Sequence, residues 1–415
     1  MKIKSDSFKR LFLFLSFFYY LGLLSFTSGM FGEKGDDVFS ANASGSLANQ
    51  IIGILLLLMS LVLLLKLKIC SLASFRRQTL FWSLIVLWFT LSIYWSYAPS
   101  VSFRRLIAFI IIIVTAFCLV QMFTPHSLLS ALVLTVAFAG VLGLIQAIIN
   151  PSSAFISEGI RAGAFSGIYF DKNAGARINA YALIIGIGLR LYRSKLGAFS
   201  LLVIAVCLLM SRSATGLVMV TLGGGLMFLF KYFSTYSPRK NLNRLFIIIF
   251  ILVASTTLVL YLYNYLLEFM GRDPNLTNRT IIWELMDVYI EAEFMKGYGF
   301  GAFWASSAVA DFLDRWGFIG NAHSGYYEAF LHGGLIGFTL VIIMLIHSLY
   351  SLGKNFLSGH GDIAITAILF AIVINQIIVN YVGFIIINHN SFDMFFFLIA
   401  YFTATRINQA GLRKN

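Results

Sequence analysis

Along the chain, runs of about 20 apolar residues alternate with short polar segments from one end to the other. A run of that length crosses the roughly 30 Å hydrocarbon layer of a bilayer as a helix. The pattern predicts about twelve spans, at 11–30, 48–66, 80–96, 103–122, 126–148, 175–191, 197–210, 214–233, 245–264, 326–350, 363–382 and 391–405. All five prolines (Pro99, Pro125, Pro151, Pro238 and Pro274) fall between spans, where the loss of a helix hydrogen bond does no harm. The expected fold class is therefore all-α: a polytopic integral membrane protein forming one membrane domain over residues 1–415. No internal repeat is visible, which disfavours the duplicated folds of many secondary transporters. Residues 1–30 have the basic start and apolar core of a signal peptide. The apolar run is longer than the usual core of about 7–15 residues, so an uncleaved first span is expected.

Two polar stretches are longer than a turn, 151–174 and 265–325. Inside the second, residues 277–293 predict an amphipathic helix. Ile281, Leu285, Val288 and Ala292 recur at helical spacing, while Glu284, Asp287 and Glu291 take another face. Pro274 and Thr277 mark its start. Arg279 falls in its first turn, where a cation opposes the helix dipole, which suggests a reason beyond helix stability.

Composition agrees with the pattern. The 415 residues are 59% hydrophobic and 11% charged, against about 25% charged in soluble proteins, and no soluble domain of useful size is left over. The net charge of +13 has a topological origin. With twelve spans and both termini on one side, that side holds 19 of the 30 basic residues but only Asp6 and Asp362 of the 17 acids. Basic short loops mark the cytoplasmic side. The charge gives no sign of nucleic-acid binding. Cys70, Cys118 and Cys207 indicate neither a disulfide framework nor a metal site.

Both long polar stretches then fall on the outer side, and so does the unusual chemistry. Its basic residues are mostly arginine: Arg104, Arg105, Arg161, Arg177, Arg212, Arg272, Arg279 and Arg315. Arginine's planar fork grips phosphate bidentately, and lysine cannot. Several of these arginines lie at span ends, within reach of a lipid head group. A lipid-linked phosphate or diphosphate is the ligand class this pattern suggests; pairing with acids or bulk phospholipid is the alternative. His323 ends the longer stretch at the membrane edge, where an imidazole can take a proton from a sugar hydroxyl or simply be hydrogen-bonded. Ser324, Tyr326, Tyr327 and Glu328 follow it. The tyrosines suit interfacial anchoring, and a carboxylate at the mouth of a span is usually functional or paired. Gly333-x-x-x-Gly337 suits close helix packing. The predicted span centres carry no charge, which argues against an ion or glycan transporter.

The segments YWSYAPSVSFRRL (94–106), GAFSGIYFDKNAGA (163–176), LLMSRSATGL (208–217), GRDPNLTNRTIIW (271–283), KGYGFGAFW (296–304) and NAHSGYYEAFLHGGLIG (321–337) resemble, in order, the O-antigen ligase and polymerase superfamily. Within it they resemble the exopolysaccharide-production polymerases. Ser324 stands where the family often has Asn, and Asn278 where Gly is common. The resemblance implies an integral glycosyltransferase of the GT-C type in the bacterial inner membrane, with a large periplasmic loop carrying amphipathic helices and the active site on the periplasmic face. The implied donor is an undecaprenyl-diphosphate-linked glycan, used without a cofactor or a metal. The implied acceptor is either another glycan, as for a repeat-unit polymerase, or lipid A–core, as for a ligase. A chain-length regulator is a further partner of such enzymes. On this resemblance His323 is the catalytic base. Arg161, Arg212 and Arg279, then Arg272, Arg177 and Arg105, hold the diphosphate, and Glu328, Tyr327 and Ser324 support the site.

Overall fold

The structure, a computed structural model, describes residues 5–23, 47–67, 72–156, 162–169, 171–233, 250, 279–316, 320–359 and 361–412. Except for Phe250, the predicted span at 245–264 lies outside these residues, and Arg161, Arg272 and Cys70 lie entirely outside them. The described chain is helical: α1 (Ser5–Tyr20), α2 (Leu47–Leu67), α3 (Leu72–Ser92), α4 (Pro99–Met122), α5 (Pro125–Ile149), α6 (Lys172–Gly188), α7 (Lys195–Met210), α8 (Ala214–Phe233), α9 (Arg279–Ala292), α10 (Ala310–Trp316), α11 (Gly325–Ser358), α12 (Ile363–Val379) and α13 (Phe392–Leu412). Among the described residues the sole β pairing is an isolated bridge between Phe155 and Phe165. Five helices (α2, α4, α5, α8 and α11) are long and apolar enough to cross a membrane, and α7 and α12 are shorter apolar helices. This is the build of a multi-pass membrane protein.

Local chemistry sets the helix starts. Pro99 and Pro125 open α4 and α5, where the missing N–H costs nothing. Thr124, Asp171, Ser194 and Asp362 cap α5, α6, α7 and α12 by accepting backbone N–H groups. The apolar runs mark the spans better than the helix ends. Helix α3 starts at Leu72, ahead of the run that begins near residue 80, and α11 continues past 350 to Ser358.

Helix α13 lies at the centre. Every residue from Met394 to Phe402 is buried, and the helix packs on α3, α4, α6, α11 and α12. A helix that is apolar all round belongs in such a position. Helix α2 is peripheral, with Ile51, Leu58 and Leu65 more than half exposed, as a lipid-facing helix would be. The motif Gly333-x-x-x-Gly337 does serve packing, because the Trp88 indole of α3 lies over both glycines.

Between those two glycines α11 breaks. Gly334 has φ 61° and ψ −161°. The groups freed by the break find partners outside the helix. Leu335 N–H donates to Phe294 O (2.7 Å), Tyr298 N–H to Leu331 O (2.8 Å), and Trp88 Nε1–H to Gly333 O (2.9 Å). A broken helix at membrane depth needs such substitutes. The segment after α9 is thereby clamped against the first turns of α11.

The amphipathic helix is present as α9, but it presents a different face from the one expected. Trp283 and Met286 are buried, with Ile282, Leu285, Tyr289 and Ile290 packed beside them, while Ile281 and Val288 are exposed. The large indole sets the face. It stacks on Tyr327 (ring centroids 5.7 Å, planes 13° apart) and donates to Ala322 O (2.9 Å).

Candidate active site

The turn that carries His323 is held from both sides. On one side Ala322 N–H donates to Glu328 Oε1 (2.6 Å); on the other, Ala322 O accepts the Trp283 indole N–H. His323 then takes a left-handed backbone, φ 51°, with its N–H donating to Asn321 Oδ1 (2.8 Å). For a residue with a Cβ this conformation costs about 1–2 kcal/mol, and it persists where neighbours over-determine it. Past the turn, Gly325 N–H bonds Asn380 O and Gly383 O, which docks the start of α11 on the 380–390 loop. A Cβ on Gly325 would lie 2.0 Å from Asn380 Oδ1. Ser324 is the buried N-cap of α11, and its hydroxyl has no hydrogen-bond partner among the described residues.

Glu328 is the hub beneath this turn. The carboxylate is 1% exposed. Its Oε1 also accepts the Trp304 indole N–H (2.8 Å), and its Oε2 lies 3.2 Å from His332 Nε2, one helical turn on. The His332 ring is enclosed by Phe89, Phe300 and Phe384.

Beside the hub lies a cavity of about 480 Å³, walled by Tyr19 of α1, Asn49 to Ile54 of α2, Phe103 to Ile111 of α4, and His389 and Asn390. That volume is within the roughly 300–1,000 Å³ typical of small-molecule sites. Arg104 and Arg105 line it, and none of its lining residues among those described is acidic. Ile54, Ile107, Ala108 and Ile111 make another part of the wall apolar. The cavity suits a molecule with an anionic head and a hydrocarbon body. Arg105 reaches from the cavity wall to the Gly301 carbonyl, in the segment clamped on α11, and lies within electrostatic reach of Glu328. Burial, and then the charges of Arg105 and Arg104, hold His389 well below its ordinary 6.5. It is therefore neutral at neutral pH.

The other expected site residues are spread along the same end of the bundle. Arg279, the first residue of α9, donates through Nη1 to Val382 O (2.7 Å), tying α9 to the loop that also holds Gly325. It does not take up the acids of its own helix through this bond. Arg212 follows α7 with φ 46° and is exposed; its guanidinium sits over Gly163. The ammonium of Lys172, itself 1% exposed, holds the Ser211 and Arg212 carbonyls at 3.5 and 3.4 Å. Arg177 differs. Its Nε and Nη2 donate to the Asp393 carboxylate at 2.8–3.1 Å, and Tyr181 O–H donates to the same group (2.8 Å). The carboxylate already occupies the fork that the expectation reserved for a diphosphate. Tyr327 stacks on Trp283 as an element of the wall behind His323.

Arg104, His389 and Asn390 were not among the expected site residues. The NHN of 388–390, polar within an apolar stretch, is the signal that could have found the last two.

Residues 198–342 match the family model described as O-antigen ligase. The matched stretch includes Arg212, Arg279, His323, Glu328 and His332. The exopolysaccharide production protein ExoQ of Rhizobium meliloti (strain 1021) is 25% identical over 294 residues, which are 66% of this chain and 65% of that protein. The chain is similar to the O-antigen ligase and polymerase family. It spans just under two thirds of the length of this curated relative.

Proposed function

We propose that the protein is a membrane glycosyltransferase acting at the periplasmic face, with an undecaprenyl-diphosphate-linked glycan as donor and a sugar hydroxyl as acceptor. One observation carries the reading. A cavity lined by Arg104 and Arg105, with no acidic residue in its described lining and partly walled by the peripheral helix α2, is joined through Arg105 and Gly301 to the segment that backs the His323 turn. The diphosphate sits against Arg104 and Arg105, with the polyprenyl chain leaving past α2. His323 takes the proton of the acceptor hydroxyl as its oxygen attacks the anomeric carbon. The bond from that carbon to the diphosphate breaks with inversion, and the electron pair leaves with undecaprenyl diphosphate. The arginines stabilise the charge that develops there, which is usually the largest contribution to such catalysis.

The first reading of the acceptor is a second lipid-linked repeat unit, which makes the enzyme a polymerase; the relative named for exopolysaccharide production supports it. The description of the matching family model favours the second reading, a ligase using lipid A–core. Purified protein in nanodiscs, given a lipid-linked repeat unit with or without lipid A–core, separates them. Lengthening of the lipid-linked chain alone means polymerase, and transfer to the core means ligase. Absence of transfer with either acceptor, using protein that binds the donor, refutes the transferase.

A further inference from the structure

We propose that Glu328 is a positioning residue for His323, acting through the Ala322 peptide. The proposal rests on the reading of His323 as the base. A carboxylate in the first turn of a helix ordinarily reaches back to the N-cap N–H. Glu328 instead reaches past the N-cap Ser324 and past His323, to the N–H of Ala322 at 2.6 Å. The indole of Trp283 holds the carbonyl of that same residue from the opposite side. Ala322 is fully buried, so the two bonds fix it against the protein interior. His323, the next residue, is held in a left-handed conformation it would not keep by itself.

The remaining bonds of Glu328 fix the hub in turn. Trp304 donates to the same oxygen as Ala322, and His332 meets the other. The carboxylate is thus held by three groups from two segments, at 1% exposure. Trp304 stands three residues after Gly301, whose carbonyl accepts from Arg105 of the cavity wall. The hub consequently couples the cavity wall to the base. Its geometry holds the imidazole-bearing turn at one distance from an anionic head group bound at Arg105. A base must stand within hydrogen-bond reach of the proton it takes, and a misplacement of 1 Å costs on the order of 10²-fold in rate.

The test uses the full-length protein in lipid nanodiscs with a lipid-linked glycan donor, comparing wild type with Glu328→Ala, Glu328→Gln, Trp283→Phe, His323→Ala and Glu328→Ala/His323→Ala. Glu328→Ala lowers kcat by about 10²-fold and leaves the donor KM within about twofold, because the donor's contacts are untouched. Glu328→Gln, whose amide oxygen still accepts from Ala322 and Trp304, recovers a large part of kcat. Trp283→Phe keeps the stacked ring, loses the bond to Ala322 O, and lowers kcat in the same direction. In the His323→Ala background Glu328→Ala adds no further loss, as for residues that act as one unit. Wild-type kcat in Glu328→Ala, a loss expressed only in KM, or a full additional loss in the double variant overturns the proposal. If Glu328→Ala does not fold, wild-type kcat in Trp283→Phe overturns it and a lowered kcat at unchanged KM supports it. Full activity of His323→Ala would refute the base itself; an inactive His323→Ala beside a normal Glu328→Ala refutes only the positioning.

Discussion

Arg177 and Asp393 give the sharpest test of which arginines build the protein and which serve it. Replacing Arg177 with Met leaves the Asp393 carboxylate, 3% exposed, with the Tyr181 hydroxyl as its remaining donor of the four bonds described. Breaking a buried ion pair from one side costs about 3–5 kcal/mol, because it strands a buried charge. Replacing both partners by apolar residues of similar volume is often neutral. Arg177→Met and Asp393→Leu should therefore each destabilise by about 3–5 kcal/mol, and the double variant should regain at least half of the summed loss, giving an interaction energy of at least about 3 kcal/mol. The assay is a double-variant cycle of chemical unfolding in detergent, with transfer activity measured on the same preparations. Additive losses would refute the pairing argument. A double variant that is as stable as wild type yet inactive would show that Arg177 meets the substrate after all.

Other perturbations follow from single contacts. Gly334→Ala requires a positive-φ backbone that is essentially reserved for glycine, costing on the order of 1–3 kcal/mol, and places its Cβ 2.3 Å from the Met295 carbonyl carbon; a clearly lowered melting temperature or loss of folded protein is expected, and a wild-type melting curve would refute the interlock. Ala108→Trp fills the cavity and should raise the donor KM several-fold at unchanged protein level; an unchanged KM would mean that the donor does not enter there. Arg105→Lys keeps the charge, loses the fork, and should lower kcat/KM about tenfold or more; full activity would remove Arg105 from the site. His389 is held neutral in the fold while the unfolded chain takes a proton below about 6.5, so the unfolded state binds more protons in that range and stability falls as the pH drops through 6.5. The melting temperature should decline between pH 7.5 and 5.5 in wild type and decline less in His389→Gln; parallel curves would refute the assignment.

What the sequence discloses depends on the range of the interaction. Spans are legible because 20 apolar residues in a row have one physical use, and α2, α4, α5, α8 and α11 lie where the runs place them. Arg279 is legible as an arginine at odds with its helix dipole, because that conflict is local. Its partner, the carbonyl of Val382, is 103 residues away and is not. The same holds for Arg105 and Arg177. Both are arginines near the first turns of an apolar helix, and nothing within a few residues separates them. The difference is made by Asp393, 216 residues beyond Arg177, and by Gly301, 196 residues beyond Arg105. The face of α9 differs from the predicted one for a related reason: a hydrophobic stripe counts residues equally, whereas one indole with a hydrogen-bond partner outweighs two aliphatic side chains. Glycine spacing in 333–337 predicts close packing correctly, yet it conceals the break at Gly334, since the groups that satisfy the break come from Trp88 and from the segment after α9.

Glu328 brings these ranges together. As a carboxylate at the mouth of a span it is legible as an anomaly. Its reach to Ala322, six residues back, is local enough to have been suspected. His332, one helical turn on, is as local; the bond to Trp304 and the shell of phenylalanines around His332 come from the folded bundle alone. A residue of this kind can be recognised from the sequence as costly. Only the fold says that the cost is met by donors from two segments, one of which immediately precedes the histidine.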